Sequence, residues 1–331
     1  MATSALGLPF VDPGLESRVR AKLLEVEREL AIAVASDIDF VREAARHLLD
    51  AGGKRFRPLV AVLASEFGDP QAPEVVPAAL VVELTHLATL YHDDVMDEAD
   101  LRRGALSANA RWDNSIAILT GDFLFAQASQ IVAGLGPEAV RLQAETFSRL
   151  VQGQMRETIG PRPGDDPLAH YLSVVADKTG SLIATSARFG AKLSGASAED
   201  ERTLTEFGER IGTVFQLSDD ILDVASETSD SGKTAGTDLR EGILTLPSLY
   251  ALRSQDADDV RLLQLLSGPI EDDDDHAEAL ALLRAHPALD QARVEVDRRT
   301  QAARALLVDL PDIPAREALQ ALCDLVTTRT T

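Results

Sequence analysis

Cysteine is almost absent from this 331-residue chain: Cys323 is the only one. A disulfide framework and a thiolate metal site are thereby excluded, as suits a reducing compartment. Aromatic residues are 4% of the sequence, and strand-like alternation between turn signals is missing. Lysine is scarce too. Only Lys22, Lys54, Lys178, Lys192 and Lys233 occur among 32 basic residues, against 54 acidic ones, for a net charge of −22. Such a chain repels nucleic-acid phosphates and anionic membrane surfaces. No apolar run of the ~18 residues needed for a spanning helix stands out. The N-terminus lacks a basic segment followed by an apolar stretch. A soluble cytoplasmic protein is expected, with no nucleic-acid partner and no stable membrane insertion.

What the sequence does contain is helical pattern. Residues 14–50 carry Leu15, Val19, Leu23, Val26 and Leu30 at three- and four-residue steps, continuing to Leu48, which is an amphipathic stripe. Further helices are expected at 58–67, 73–98, 107–133, 137–158, 167–194, 199–227, 239–253, 273–285, 289–309 and 314–328, most of them separated by Pro or Gly. No Pro/Ser-rich linker and no internal repeat divides the chain. The expectation is an all-α, single-domain helix bundle over residues 11–331, with a disordered stretch at 1–10. Glu271 to Asp275 reads as a solvated acidic helix start, favoured by the helix dipole. The polar segment 226–239 reads as a functional loop.

Two aspartate motifs carry the chemistry. In Asp93-Asp94-Val95-Met96-Asp97 the first and last carboxylates share a helix face. Asp219-Asp220-Ile221-Leu222-Asp223 repeats the spacing. Both end apolar helices, where charges must be paired or metal-bound. Oxygen donors without His or Cys suit Mg²⁺, and the pair suggests facing helices that grip Mg²⁺ ions. Cations sit in Gly-flanked segments: Lys54, Arg55 and Arg57 after Gly52-Gly53, Arg102 and Arg103 before Gly104, Lys178 before Gly180, and Lys233 in the polar loop. Glycine lets backbone approach a ligand, and Lys and Arg bind phosphate oxygens. Carboxylate clusters with such cations point to Mg²⁺–diphosphate chemistry. A lone histidine on an apolar helix, such as His86, is more often structural.

The segments GGKRFRP (52–58), ELTHLATLYHDDVMDEADLRRG (83–104), GDFLFAQA (121–128), KTGSL (178–182), FQLSDDILD (215–223) and GKTAGTDLREG followed by TLP (232–247) resemble the trans-isoprenyl (all-E polyprenyl) diphosphate synthases. The resemblance spans nearly the whole chain after residue 40. It implies an all-α bundle of the isoprenoid synthase type around a deep central cavity, as a homodimer. It implies a prenyltransferase that joins an allylic prenyl diphosphate to isopentenyl diphosphate. Residue by residue, it implies that Asp93 and Asp97 bind two Mg²⁺ and Asp219 a third, supported by Asp94, Asp220 and Asp223. Arg102, Lys178 and Lys233 would hold the allylic diphosphate, with Thr179 and Gln216 at the reacting end. Lys54, Arg57, His86 and Arg103 would hold isopentenyl diphosphate. Arg55 and His92 receive no role. Many relatives carry Lys in a GKxTLP segment, whereas this chain has Ile243, so one diphosphate-facing cation is missing or replaced.

Product length is expected to depend on the helix that carries the first motif. Short-chain relatives have bulky aromatics four or five residues before the first Asp. Here those positions are Thr89 and Ala88, with Thr85 below. Small side chains imply a deep tunnel and a long product, about C30 or longer. The alternative is a C20 geranylgeranyl product, with the floor on another helix at Phe123 or Phe125. A terpene cyclase fits less well, because its second metal motif has a hydroxyl residue where this chain has Asp223, and because GGKRFRP argues for an isopentenyl diphosphate site. A non-catalytic synthase subunit would be expected to lose its aspartate motifs.

Overall fold

The computed structural model describes residues 7–226 and 235–328. In chain order the helices are α1 (Pro13–Ala33), α2 (Asp39–Asp50), α3 (Phe56–Ser65), α4 (Val75–Met96), α5 (Ala108–Arg111), α6 (Asn114–Gly134), α7 (Pro137–Ile159), α8 (Pro167–Val175), α9 (Ser181–Leu193), α10 (Ala198–Ala225), α11 (Thr237–Glu241), α12 (Leu246–Ala251), α13 (Val260–Leu265), α14 (Asp273–Ala285), α15 (Pro287–Leu306) and α16 (Pro314–Thr328). Among the described residues the only strands are β1 (Leu101–Arg102) and β2 (Ala105–Leu106), an antiparallel hairpin in which Leu101 faces Leu106.

Several boundaries differ from the sequence pattern, each for a local reason. The stripe over 14–50 is two helices. Val34 ends the first by bonding back to Leu30 and Ile32, and Ser36 accepts from the Ile38 amide. The expected helix 167–194 is interrupted by a π-helical turn at Ala176–Gly180. Residues 239–253 form two short helices because Gly242 takes a left-handed conformation (φ 73°) after α11. The acidic start of α14 is as expected: Asp272 caps it by accepting from the amides of Asp274 and Asp275 at 2.9 and 3.0 Å.

The chain resolves into two compact units that interleave in sequence. One comprises the described residues up to Ser148, with Ser181–Gly208 and Leu306–Ala321. Its centre is α4, which packs against α6, α3, α9 and α1. Leu84, Leu87 and Tyr91 are fully buried there, the two leucines each worth roughly 1.5–3 kcal/mol. The Tyr91 hydroxyl donates to Ala44 O at 2.6 Å and accepts from the Leu48 amide at 3.1 Å, tying α4 to α2. α3 and α9 approach closely because Gly190 has no side chain; a Cβ there would lie 2.0 Å from Ala61 O.

By length and composition α4 and α6 could each cross a membrane, which corrects the expectation that no such run exists. The physical reason differs for the two. The apolar window of α4 is 72% buried within the protein, as expected for a core helix that is apolar all round. That of α6 is only 33% buried, and Ile118 and Leu119 are exposed on it.

The other unit comprises Arg149–Gly180 and the described residues of Glu209–Ala305 and from Leu322 onward. In it α8 packs on the π-helical turn and on α12, and α14 packs on α11, α12 and α13. Cys323 is buried here.

Candidate active site

The first aspartate motif occupies the last turn of α4. Asp93 is half-buried, Asp94 fully buried and Asp97 exposed at the C-cap, its amide donating to Asp93 O at 2.8 Å. A helix C-terminus carries partial negative charge, so three carboxylates there oppose the dipole unless a cation joins them. Asp94 Oδ1 accepts from Arg102 Nε at 2.5 Å, and Oδ2 is buried without a hydrogen-bond partner. Burial pushes the Asp94 carboxyl above the ordinary range, against the pull of Arg102. Arg102 is set by the β1–β2 hairpin, whose two turn residues, Arg103 (φ 54°) and Gly104 (φ 76°), are both left-handed, as a type I′ turn requires.

The same unit gathers the basic residues expected to hold the second diphosphate. Lys54 is exposed and Arg57 half-buried at the start of α3. His86 lies two turns before the first motif. Burial holds its imidazole far below the usual pKa, and the charges of Arg57, Arg103, Arg55 and Arg102 push the same way. It is therefore neutral, able to donate from one ring nitrogen and accept at the other. Arg103 is partly committed: Nη1 donates to Leu48 O at 2.8 Å and to Gly52 O. Further along α4, Ala88 is 1%, Thr85 1% and Thr89 9% exposed. Thr85 Oγ1 donates to Val81 O at 2.7 Å and accepts from Gln143 Nε2 at 3.2 Å.

Two residues without a role in the sequence reading are prominent here. Arg55 is buried in a left-handed conformation (φ 49°) and pairs with Glu27 and Glu83. Glu83, 2% exposed, is the one acidic residue in the apolar stretch of α4 before the motif. That isolation was the available signal.

The second motif occupies the end of α10 in the other unit. Asp220 is buried, while Asp219 and Asp223 are half-buried. Burial pushes the Asp220 carboxyl up to about 7. The charges of Asp219 and Asp223 add to this, and donors from Tyr171 and Gln216 oppose it. Gln216 Nε2 donates to Asp220 Oδ1 at 2.8 Å, and Gln216 Oε1 accepts from Thr179 Oγ1 at 3.0 Å. Asp223 accepts from the amides of Thr237 and Asp238, both at 3.2 Å, at the start of α11. Lys178 and Thr179 belong to the π-helical turn, a local distortion often found at functional sites. Lys178 Nζ donates to Glu157 at 2.5 Å. Asp177 beside it pairs with Arg149 and Arg156. Lys233 lies outside the described residues, as do residues 1–6 of the expected disordered stretch. Ile243, in place of the Lys of many relatives, is half-buried just after α11, its amide donating to Asp238 O at 2.8 Å.

Among the described residues no three His, Cys, Asp or Glu side chains are placed to hold an ion by themselves. Hard divalent ions such as Mg²⁺ are typically held by one or two carboxylates together with water and substrate phosphates. The unsatisfied Asp94 Oδ2 and the all-oxygen donor set suit such an ion.

A family model described as Polyprenyl synthetase matches residues 38–283. The nonaprenyl diphosphate synthase of Mycobacterium tuberculosis is 49% identical over 329 residues, covering 99% of this chain and 98% of that protein. The crystal structure of geranylgeranyl pyrophosphate synthase from Corynebacterium glutamicum, complexed with calcium and isoprenyl diphosphate, superposes with a TM-score of 0.87 at 48% identity, covering 97% and 99% of the two chains. A polyprenyl synthase from Caulobacter crescentus, also complexed with calcium and isoprenyl diphosphate, superposes with a TM-score of 0.89 at 32% identity, over 96% and 97%.

Proposed function

The chain belongs to the polyprenyl synthetase family, and from that premise we propose that it extends an allylic prenyl diphosphate with isopentenyl diphosphate to a long all-E product. The fold is the all-α isoprenoid synthase fold. The observation that carries the long-chain reading is the row of small residues, Thr85, Ala88 and Thr89, beneath Asp93 on α4. The likeness to a nonaprenyl synthase supports it.

Asp93 and Asp97 are the ligands for two Mg²⁺ ions, and Asp219 for a third. When bound, Mg²⁺ supplies charge stabilisation to the departing diphosphate. The remaining steps fall to the chain. Arg102, Lys178 and Lys233 hold the allylic diphosphate and neutralise the charge that grows on its leaving oxygen as the C–O bond breaks. Lys54, Arg57, His86 and Arg103 hold isopentenyl diphosphate so that its alkene meets the allylic cation. No side-chain base is evident among the described residues, and the released diphosphate is the acceptor for the proton that the condensed cation loses from the adjacent carbon as its C–H electron pair becomes the new double bond. The single-domain organisation over 11–331 belongs to this reading.

Homodimerisation is part of the proposal as well, supported by the exposed apolar residues of α6. So is a cytoplasmic location, supported by the acidic composition and the single buried cysteine. The test is a product assay with purified protein, Mg²⁺, labelled isopentenyl diphosphate and a farnesyl or geranylgeranyl primer. Products of about C30 or longer are expected. Arrest at C20, the product class named for the Corynebacterium enzyme, would replace the long-chain reading. No elongation without an added protein would favour the subunit reading.

A further inference from the structure

Four charged side chains interlock behind the Gly52–Arg57 segment. Arg55 Nε donates to Glu27 Oε1 at 2.5 Å and Nη2 to Glu27 Oε2 at 3.2 Å. From the same guanidinium, Nη1 donates to Glu83 Oε1 at 3.1 Å and Nη2 to Leu49 O at 3.2 Å. Arg103 reaches the other end of the segment, donating to Leu48 O and Gly52 O. Between them the chain turns through Gly52 (φ 91°) and Gly53 (φ 156°) and enters α3 from left-handed Arg55. The turn is laid directly on the two guanidinium groups. A Cβ on Gly53 would lie 2.8 Å from Arg55 Nη1 and 3.1 Å from Arg103 Cζ.

Glu83 is the buried counter-charge of this cluster. Its charge stabilises both Arg55 and Arg103 against the cost of burial. A left-handed non-glycine residue costs of order 1–3 kcal/mol and persists only where its surroundings over-determine it. Here the surroundings are a fork of ion pairs that anchors Arg55 to α1 and α4. The residues on either side of the fork, Lys54 and Arg57, are those assigned to isopentenyl diphosphate.

We infer that Glu83, acting through Arg55, is the positioning residue of the isopentenyl diphosphate site: it holds the Gly52–Arg57 turn in the shape that presents Lys54 and Arg57 together. This rests on the assignment of that turn to isopentenyl diphosphate. Glu83 contacts no diphosphate in this scheme. Simple electrostatics makes the opposite forecast, because neutralising a carboxylate among arginines should tighten the grip on a diphosphate.

The test compares Glu83→Gln with the native enzyme in steady-state kinetics, varying each substrate in turn. Positioning predicts that KM for isopentenyl diphosphate rises roughly tenfold, with KM for the allylic diphosphate and kcat at saturation little changed. Glu83→Asp, which keeps the charge, should recover part of the loss. An unchanged or lower KM for isopentenyl diphosphate in Glu83→Gln overturns the inference. If Glu83→Gln does not fold, Arg55→Lys decides, since it keeps the charge but loses the fork, and a native KM there overturns the inference equally. Lys54→Ala is run in parallel. A raised KM in Lys54→Ala beside a native KM in Glu83→Gln removes the positioning role alone. A native KM in Lys54→Ala removes the site assignment and the inference with it.

Discussion

The hydroxyl of Tyr171 donates a hydrogen bond to the buried carboxylate of Asp220. Burial and the nearby Asp220 charge hold the Tyr171 hydroxyl well above its ordinary pKa, so it remains a donor. Gln216 supplies the second donor, and Thr179 orients Gln216 in turn. A chain of three side chains thus fixes the middle aspartate of the second motif.

Removing the first link tests that chain. Tyr171→Phe keeps the ring and its packing but leaves Asp220 with Gln216 alone. Loss of an outer-shell partner typically weakens metal affinity by about 10–100-fold. The half-saturating Mg²⁺ concentration for turnover should rise by about that factor, while activity at high Mg²⁺ is largely restored. An unchanged Mg²⁺ titration would show that Asp220 needs no such support.

The aspartates themselves should matter far more. Asp93 sits half-buried at the negative end of α4, where a carboxylate is disfavoured by the helix dipole. Asp93→Ala should therefore lower turnover by orders of magnitude while leaving the circular dichroism spectrum and the melting temperature at or above native values. Near-normal turnover would remove Asp93 from the metal site.

Product length can be tested at Ala88, which is buried one turn and a half before Asp93. Ala88→Phe adds a ring on the face proposed to guide the growing tail. It also overpacks a closed core, at about 1–3 kcal/mol. The expected outcome is a folded, less stable enzyme whose products are shorter by chromatography. Products of native length would place the floor on another helix.

Helices and motif positions were legible in the sequence because they depend on local pattern. The ends of α14 and α16 follow directly from an acidic cap and a proline. The two aspartate motifs announce themselves as charges in apolar surroundings. What was not legible depends on partners distant in sequence. Arg55 looks like one more surface cation until Glu27 and Glu83 are seen to enclose it. Arg103 reads as a ligand-facing residue, but one of its guanidinium nitrogens is spent on backbone carbonyls. The π-helical turn at 176–180 adds one residue to a single turn and so marks the apolar periodicity only by one phase shift, which is hard to tell from a helix boundary.

Cys323 provides a prediction about pH. Burial pushes its thiol up from 9.0 to about 12. At pH 8 the native thiolate is then about one part in ten thousand. Thiol reagents should label the protein only after denaturation. The sign of the stability effect follows: the unfolded chain ionises first, so the contribution of the protonated thiol is complete below pH 9 and is lost as pH rises towards 12. Rapid labelling of the folded protein at pH 8 would contradict the burial.

Close helix packing makes a last, opposite pair of forecasts for the same substitution. Gly190 on α9 and Gly134 at the end of α6 are both helical glycines. Replacing either by Ala gains about 0.8–1 kcal/mol of helix propensity in principle. At Gly134 nothing lies within 4 Å of the added Cβ, so Gly134→Ala should hold or raise the melting temperature. At Gly190 the Cβ would meet Ala61 O at 2.0 Å and Ala61 C at 2.8 Å. Those are backbone atoms, which cannot turn aside as a flexible side chain can. α3 and α9 must then separate, and every apolar contact between them loosens. Gly190→Ala should lower the melting temperature by several degrees, about the effect of a net loss of 1–3 kcal/mol. Because α3 begins at the Arg55 fork, the same variant should also raise KM for isopentenyl diphosphate. A melting temperature equal to that of Gly134→Ala would mean that the two helices are not held as closely as the structure has them.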